Sequence, residues 1–291
     1  MLVEKKFNTG EAILNYAEGP DAGPPLVFLH GLSDRWQFFL PVLTSLSNRW
    51  HVYAVDFRGH GSSSHTPPYR YIDHIQDITA FTENIAEKPI IFGSSLGGMI
   101  SLMVAARRPD IVKGMIFGDA NIRLEYVRGV MRDYKSFWAG WERIAASKYG
   151  LNELVRAVAE MPMSIPWRKP GKYGDGLDYV SVLNKALYLR GLDSRVLTPW
   201  AQGGDDEVIF RYVTEGYDEE QLSQIECPVL IIQGNMSKGA ILHDDEVEFA
   251  LKRIKNSHHI YMEQCDHNLG LYSHEIAPLM RVTTTFLESF R

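Results

Sequence analysis

Between the apolar run Pro89 to Phe92 and a stretch of helical periodicity from Gly97 to Arg107, the chain leaves only four residues, Gly93-Ser94-Ser95-Leu96. A strand that turns into a helix over so short a distance needs a tight, strained corner. The pattern G-x-S-x-G meets that need: side chains at positions 93 and 97 would collide with neighbouring backbone, and Ser95 sits at the apex. Its hydroxyl is then expected at the carboxyl end of the strand, above the positive end of the following helix. A Gly/Ser-rich helix cap is the plainer alternative.

The rest of the chain repeats this alternation. Apolar runs ended by Gly or polar clusters occur at Ala12 to Ala17, Pro25 to His30, His51 to Asp56, Pro89 to Phe92 and Val112 to Phe117. Helical stretches lie between them, at Asp73 to Glu87 and Gly97 to Arg107, the latter with Met99, Leu102, Met103 and Ala106 at helix spacing. Such alternation predicts a mostly parallel sheet flanked by helices on both faces. After Phe117 the next convincing strand, Pro228 to Ile232, comes only after about 110 residues, too long for an unstructured loop. A helical insertion is expected there. It is rich in aromatics, including Tyr134, Phe137, Trp138, Trp141, Trp167, Tyr188, Trp200 and Tyr217, which either pack insertion against sheet or line a cavity. His259 to Met262 and Glu275 to Phe290 then read as the last strand and a closing helix. The expected organisation is a core in two parts, 1–120 and 226–291, split by an insertion at 121–225.

Composition narrows the partners. A formal net charge of -6, with no block of Lys or Arg, argues against a nucleic-acid or anionic-membrane binder and leaves small molecules or proteins as partners, of which a small-molecule substrate is the expected one. No run approaches the roughly 18 residues of a membrane helix, and the first residues lack a signal-peptide core, so a cytoplasmic location is expected. The ten histidines lack metal-ligand spacing, and no metal or other cofactor is expected.

Around Ser95 the sequence resembles the α/β-hydrolase superfamily, and the resemblance covers nearly the whole chain. Leu29-His30-Gly31-Leu32 is similar to its oxyanion-loop motif, and Asp56-Phe57-Arg58-Gly59-His60-Gly61-Ser62 to its D-x-x-G-x-G-x-S turn. The resemblance implies an α/β-hydrolase fold with an inserted helical cap and Ser95 as nucleophile. It implies backbone N–H groups of Leu32 and Leu96 as oxyanion donors. Gln264-Cys265-Asp266-His267 follows the last strand, where the superfamily keeps its catalytic histidine, so His267 is the expected general base. His30 and His60 belong to turns and are read as structural.

The acid is more open. Many relatives place a carboxylate three residues after the Gly that ends the penultimate strand, whereas this chain has Ser237 after Gly234. The other position used in the superfamily holds Asp119, directly after Met115-Ile116-Phe117-Gly118, and Asp119 is the expected third member. Asp244 and Asp245 remain alternatives, although they precede an apolar helical run as an N-cap would.

The reading that follows is a cofactor-free serine hydrolase, a carboxylic-ester hydrolase or lactonase, cleaving an ester, thioester or lactone of a largely apolar or aromatic substrate. A carbon–carbon bond hydrolase of aromatic degradation and a hydrolase-fold ligand receptor with little turnover are the alternatives; the former commonly has Trp after its histidine, where this chain has Asn268. Oligomeric state has no signature. The two cysteines, Cys227 and Cys265, fall at opposite ends of neighbouring strands, about 20 Å apart at roughly 3.3 Å per residue, beyond disulfide reach. Titration under denaturing, non-reducing conditions is expected to count two free thiols.

Overall fold

The computed structural model describes residues 1–85, 87–163, 170–272 and 276–290. Its main sheet comprises β1 (Val3–Asn8), β2 (Ile13–Glu18), β3 (Pro25–Leu29), β4 (His51–Val55), β5 (Ile90–Ser94), β6 (Gly114–Gly118), β9 (Val229–Gln233) and β10 (Ser257–Tyr261). They lie in the order β1-β2-β4-β3-β5-β6-β9-β10. Pairings β1–β2 and β2–β4 are antiparallel and the others parallel. Cys227 and Cys265 are both buried.

The central strands are buried on both faces, and alternate residues enter different cores. Val27, Leu29, Ile91, Met115, Phe117 and Ile231 pack on one side, against α2 (Tyr71–Glu83), α3 (Leu96–Arg107) and α10 (Asp244–Arg253). Leu26, Phe28, Ile90, Phe92, Ile116 and Ile232 pack on the other, against α1 (Leu40–Leu46) and α11 (Ala277–Glu288). Two-sided burial explains why these strands read as continuous apolar runs.

Local chemistry moves some boundaries from their expected places. Helix α2 starts two residues before Asp73, because the Asp73 carboxylate accepts the Arg70 N–H at 2.8 Å and so serves as the third residue of a capping box. It ends at Glu83 rather than Glu87. The closing helix runs Ala277–Glu288; Glu275, where it was expected to begin, lies outside the described residues. Strand β1 carried no apolar alternation and was not expected. It is an edge strand with five of six residues exposed, held by backbone pairing with β2.

Between β6 and β9 the chain forms α4 (Leu124–Asp133), α5 (Lys135–Ala145), α6 (Leu151–Glu160), α7 (Tyr179–Arg190), α8 (Thr198–Gln202) and α9 (Glu207–Thr214). Two short strands of two residues each, β7 (Pro162–Met163) and β8 (Gly171–Lys172), pair antiparallel between α6 and α7. Trp141, Ile144, Leu154, Val158, Ala186 and Leu189 form a separate apolar cluster there. Helices α5, α6 and α7 therefore share a core of their own.

Two glycines test this account of the turns. A Cβ at Gly97 would lie 2.1 Å from the Leu29 carbonyl oxygen, whereas one at Gly129, inside α4, would meet nothing within 4 Å. Gly97→Ala is expected to leave little folded protein, because only backbone could move aside. Gly129→Ala should stabilise by about 0.5–1 kcal/mol through helix propensity. Urea denaturation of both variants checks the contrast.

Candidate active site

The strand-to-helix corner has the strain its glycines imply. Ser95 has φ 53 and ψ -120, an uncommon backbone conformation for a residue with a side chain. A Cβ at Gly93 would sit 2.2 Å from the Gly97 carbonyl oxygen, so no other residue fits there. The Ser95 N–H donates to the Gly118 carbonyl at 3.0 Å and the Gly97 N–H to the His30 carbonyl at 3.1 Å, which ties the corner to the ends of β6 and β3.

Asp119 follows Gly118, the residue paired with Ser94 across β5 and β6. Its carboxylate is fully buried, and its Oδ2 lies 2.7 Å from His267 Nδ1. The Gly234 N–H donates to Oδ1 and the Ile241 N–H to Oδ2, each at 3.0 Å. The loop after β9, where Ser237 replaces the carboxylate of many relatives, thus supplies amides to Asp119 instead of an acid. Burial alone would depress the His267 pKa, but its hydrogen bond to Asp119 and the negative charges of Asp119, Asp266 and Asp34 outweigh it, and the pKa is raised. With Nδ1–H donating to Asp119, Nε2 is left as the basic nitrogen.

The alternative acids are engaged elsewhere. Asp244 accepts from Gln233 Nε2 at 2.7 Å, and Asp245 accepts from Tyr126 Oη at 2.7 Å and faces Arg123. Neither is the N-cap of α10: that position is His243, whose N–H is taken by Glu246. Glu246 also accepts the N–H groups of Ile122 and Arg123, at 2.7 and 2.9 Å, and so holds the segment just beyond Asp119. Burial pushes its carboxyl up to about 7, against the pull of those donors.

Ser95, His267, Leu32 and Leu96 border one cavity of about 540 Å³. Leu96 is the first residue of α3, where a helix has no acceptor for the N–H. Among the described residues the Leu32 N–H meets no protein acceptor. The aromatics of the inserted helices divide between two uses. Tyr134, Phe137, Trp138 and Trp200 line the cavity. Trp141 and Tyr188 are buried in packing, and Tyr217 joins the main core with its hydroxyl on the Ile122 carbonyl at 2.7 Å. Trp167 lies outside the described residues.

His30 and His60 brace the loop from Gly31 to Asp34. His30 Nδ1 meets the Gly31 carbonyl at 2.8 Å and its Nε2 accepts the Phe57 N–H; His60 Nδ1 meets the Arg58 carbonyl at 3.0 Å and its Nε2 accepts the Ser33 N–H. Each ring must be neutral to accept through Nε2, and burial lowers both pKa values accordingly. Among the described residues no group of three or more His, Cys, Asp or Glu could hold a metal ion, and no helix is long and apolar enough to cross a membrane. Sequence reasoning missed the polar cluster of Ser33, Asp34, Lys185 and Tyr272 beside the cavity. No local pattern announces it, since Lys185 and Asp34 are 151 residues apart.

Comparison with known proteins agrees with this architecture. The chain is 33% identical to ethanol acetyltransferase 1 of Cyberlindnera fabianii over 115 residues, 38% of this chain, and spans 34% of that enzyme's length. It is 27% identical to the pimeloyl-[acyl-carrier protein] methyl ester esterase of Neisseria meningitidis serogroup B over 263 residues, covering 85% of this chain and 87% of the esterase. The crystal structure of E-2-(acetamidomethylene)succinate hydrolase superimposes with a TM-score of 0.72 over 99% of this chain and all of that one; at 20% identity this is a likeness of fold. The model of the alpha/beta hydrolase family matches residues 26–279, and the chain, with its eight-stranded, mostly parallel sheet between helical layers, belongs to that family.

Proposed function

We propose that the chain is a cofactor-free serine hydrolase that cleaves an ester, thioester or lactone of a small, largely apolar or aromatic substrate through an acyl-enzyme on Ser95. The observation that carries this reading is the 2.7 Å contact of His267 with a buried Asp119, beside the cavity that also holds the strained Ser95. His267 Nε2 takes the Ser95 proton as Oγ attacks the carbonyl carbon. Negative charge that develops on the carbonyl oxygen meets the Leu32 and Leu96 N–H groups. The leaving group departs with the proton from His267, and water, activated by the same nitrogen, frees the acid and restores Ser95. Asp119 holds the imidazole in the useful tautomer and stabilises its cationic form.

Residues 121–225 act in this reading as a cap over the carboxyl ends of the strands, dividing the core into 1–120 and 226–291. The aromatic wall of Tyr134, Phe137, Trp138 and Trp200 supports an apolar or aromatic acyl group. The methyl ester esterase among the relatives supports ester chemistry. A hydrolase-fold ligand receptor with little turnover is favoured only while the orienting acid is uncertain, and the contact of Asp119 with His267 supports the enzyme reading over it.

Fluorophosphonate labelling and a burst of p-nitrophenol from p-nitrophenyl esters are both expected from the wild type and both absent from Ser95→Ala. Labelling at another residue would sink the assignment. Asp119→Asn should lower kcat by about 10⁴-fold, while Asp244→Asn and Asp245→Asn change it by less than about tenfold. The acid limb of kcat/KM reports the His267 pKa, because only the neutral ring accepts a proton. Since Asp119 raises that pKa, Asp119→Asn should move the limb to lower pH. A limb that stays in place would mean Asp119 does not act on His267.

A further inference from the structure

The turn that carries Leu32 contains a residue poorly suited to its own conformation. Ser33 has φ 66, a left-handed backbone that non-glycine residues adopt at a cost. Every polar group it owns is engaged. Its N–H donates to His60 Nε2 at 3.3 Å, and its carbonyl oxygen and Oγ both meet Lys185 Nζ, at 3.1 and 2.8 Å. Lys185 also donates to Asp34 Oδ1 at 2.9 Å, so three acceptors match the three ammonium hydrogens. Tyr272 Oη donates to the same Asp34 oxygen at 2.9 Å.

This cluster reaches the proposed nucleophile through one residue. A Cβ placed on Gly31 would lie 3.2 Å from Asp34 Oδ2 and 3.1 Å from Ser95 Cβ, so Gly31 is all that separates the carboxylate from the corner. Lys185 and Asp34 are only 6% and 8% exposed, and Lys185 belongs to α7, one of the inserted helices. A buried ion pair adds little net stability over apolar side chains of similar size, because desolvation of both charges offsets their attraction. Its distinctive property is direction: it fixes where its partners' backbone lies.

We propose that Lys185 is a positioning residue that clamps Ser33 in its strained conformation and so keeps the adjoining Leu32 N–H aimed at the oxyanion. The catalytic geometry then depends on docking of α7 against the core. The proposal rests on the acyl-enzyme reading above. Its consequence is a defect in transition-state stabilisation rather than in substrate capture.

The test compares wild type, Lys185→Met and Ser33→Ala in p-nitrophenyl ester turnover and in inhibition by an alkyl trifluoromethyl ketone. In the ketone adduct Ser95 Oγ bonds to the carbonyl carbon, its proton passes to His267, and the carbonyl oxygen becomes an oxyanion facing Leu32 and Leu96. Lys185→Met is expected to lower kcat and ketone affinity together by about 10²-fold, with KM within about threefold of wild type. Unchanged kcat and ketone affinity, even with a lower Tm, would overturn the proposal, as would a rise in KM alone. Should Lys185→Met not fold, Ser33→Ala decides. It removes one of the bonds to Lys185 and should lower kcat and ketone affinity about tenfold; no change in either overturns the clamp. A wild type that neither turns over the esters nor binds the ketone would instead overturn the acyl-enzyme reading itself.

Discussion

A serine held at φ 53 is the constraint from which the rest of the site follows. Conformations of this kind cost of order 1–3 kcal/mol and persist only where surrounding structure over-determines them. Here the surroundings are specific. Gly97 packs against the Leu29 carbonyl with no room for a Cβ and donates to His30, while Ser95 donates to Gly118. The corner is therefore joined on one side to the loop bearing Leu32 and on the other to the strand end bearing Asp119. Its strain is shared by three neighbouring strands, and the groups proposed to act together are brought together by the same contacts.

Desolvation acts to lower the pKa of His30, His60, His74 and His267 alike, and partners decide whether the net shift follows it. His30 and His60 give both ring nitrogens to main-chain groups, and His74 has an unpartnered Nδ1; burial lowers all three pKa values, that of His74 to about 3. His267, whose side chain is 28% exposed, sits against a carboxylate, and the attraction to Asp119 overcomes its desolvation. Neutral rings suit a scaffold that must not change with pH. A ring whose cation is stabilised suits a group that must accept and return a proton. The distinction belongs to the second residue of each pair, not to the histidine.

Much of this was legible before any coordinates. Gly93-Ser94-Ser95-Leu96-Gly97 is a local signal, because the steric demand that selects its glycines acts within a few residues. His267 was singled out by the resemblance to the superfamily, which implies a histidine after the last strand, and the sheet was legible from runs buried on both faces. Asp119 was one of several candidates, since its pairing with His267 spans 148 residues and competes on paper with Asp244 and Asp245. The aromatics from 121 to 225 were legible as apolar, but their division between cavity wall and packing was not.

The sequence by itself therefore determined the alternation of elements, the sheet class, the strained corner and the identity of the residue at its apex. These depend on periodicity and on contacts between near neighbours in the chain. Only the tertiary structure decided which carboxylate meets His267, that the loop after β9 supplies amides where many relatives have an acid, and that Lys185 reaches across to Ser33 and Asp34. The physical reason is the same in each case. A charge or an amide finds its partner by distance in space, and distances between remote segments are fixed by packing of the cores, which no local pattern encodes.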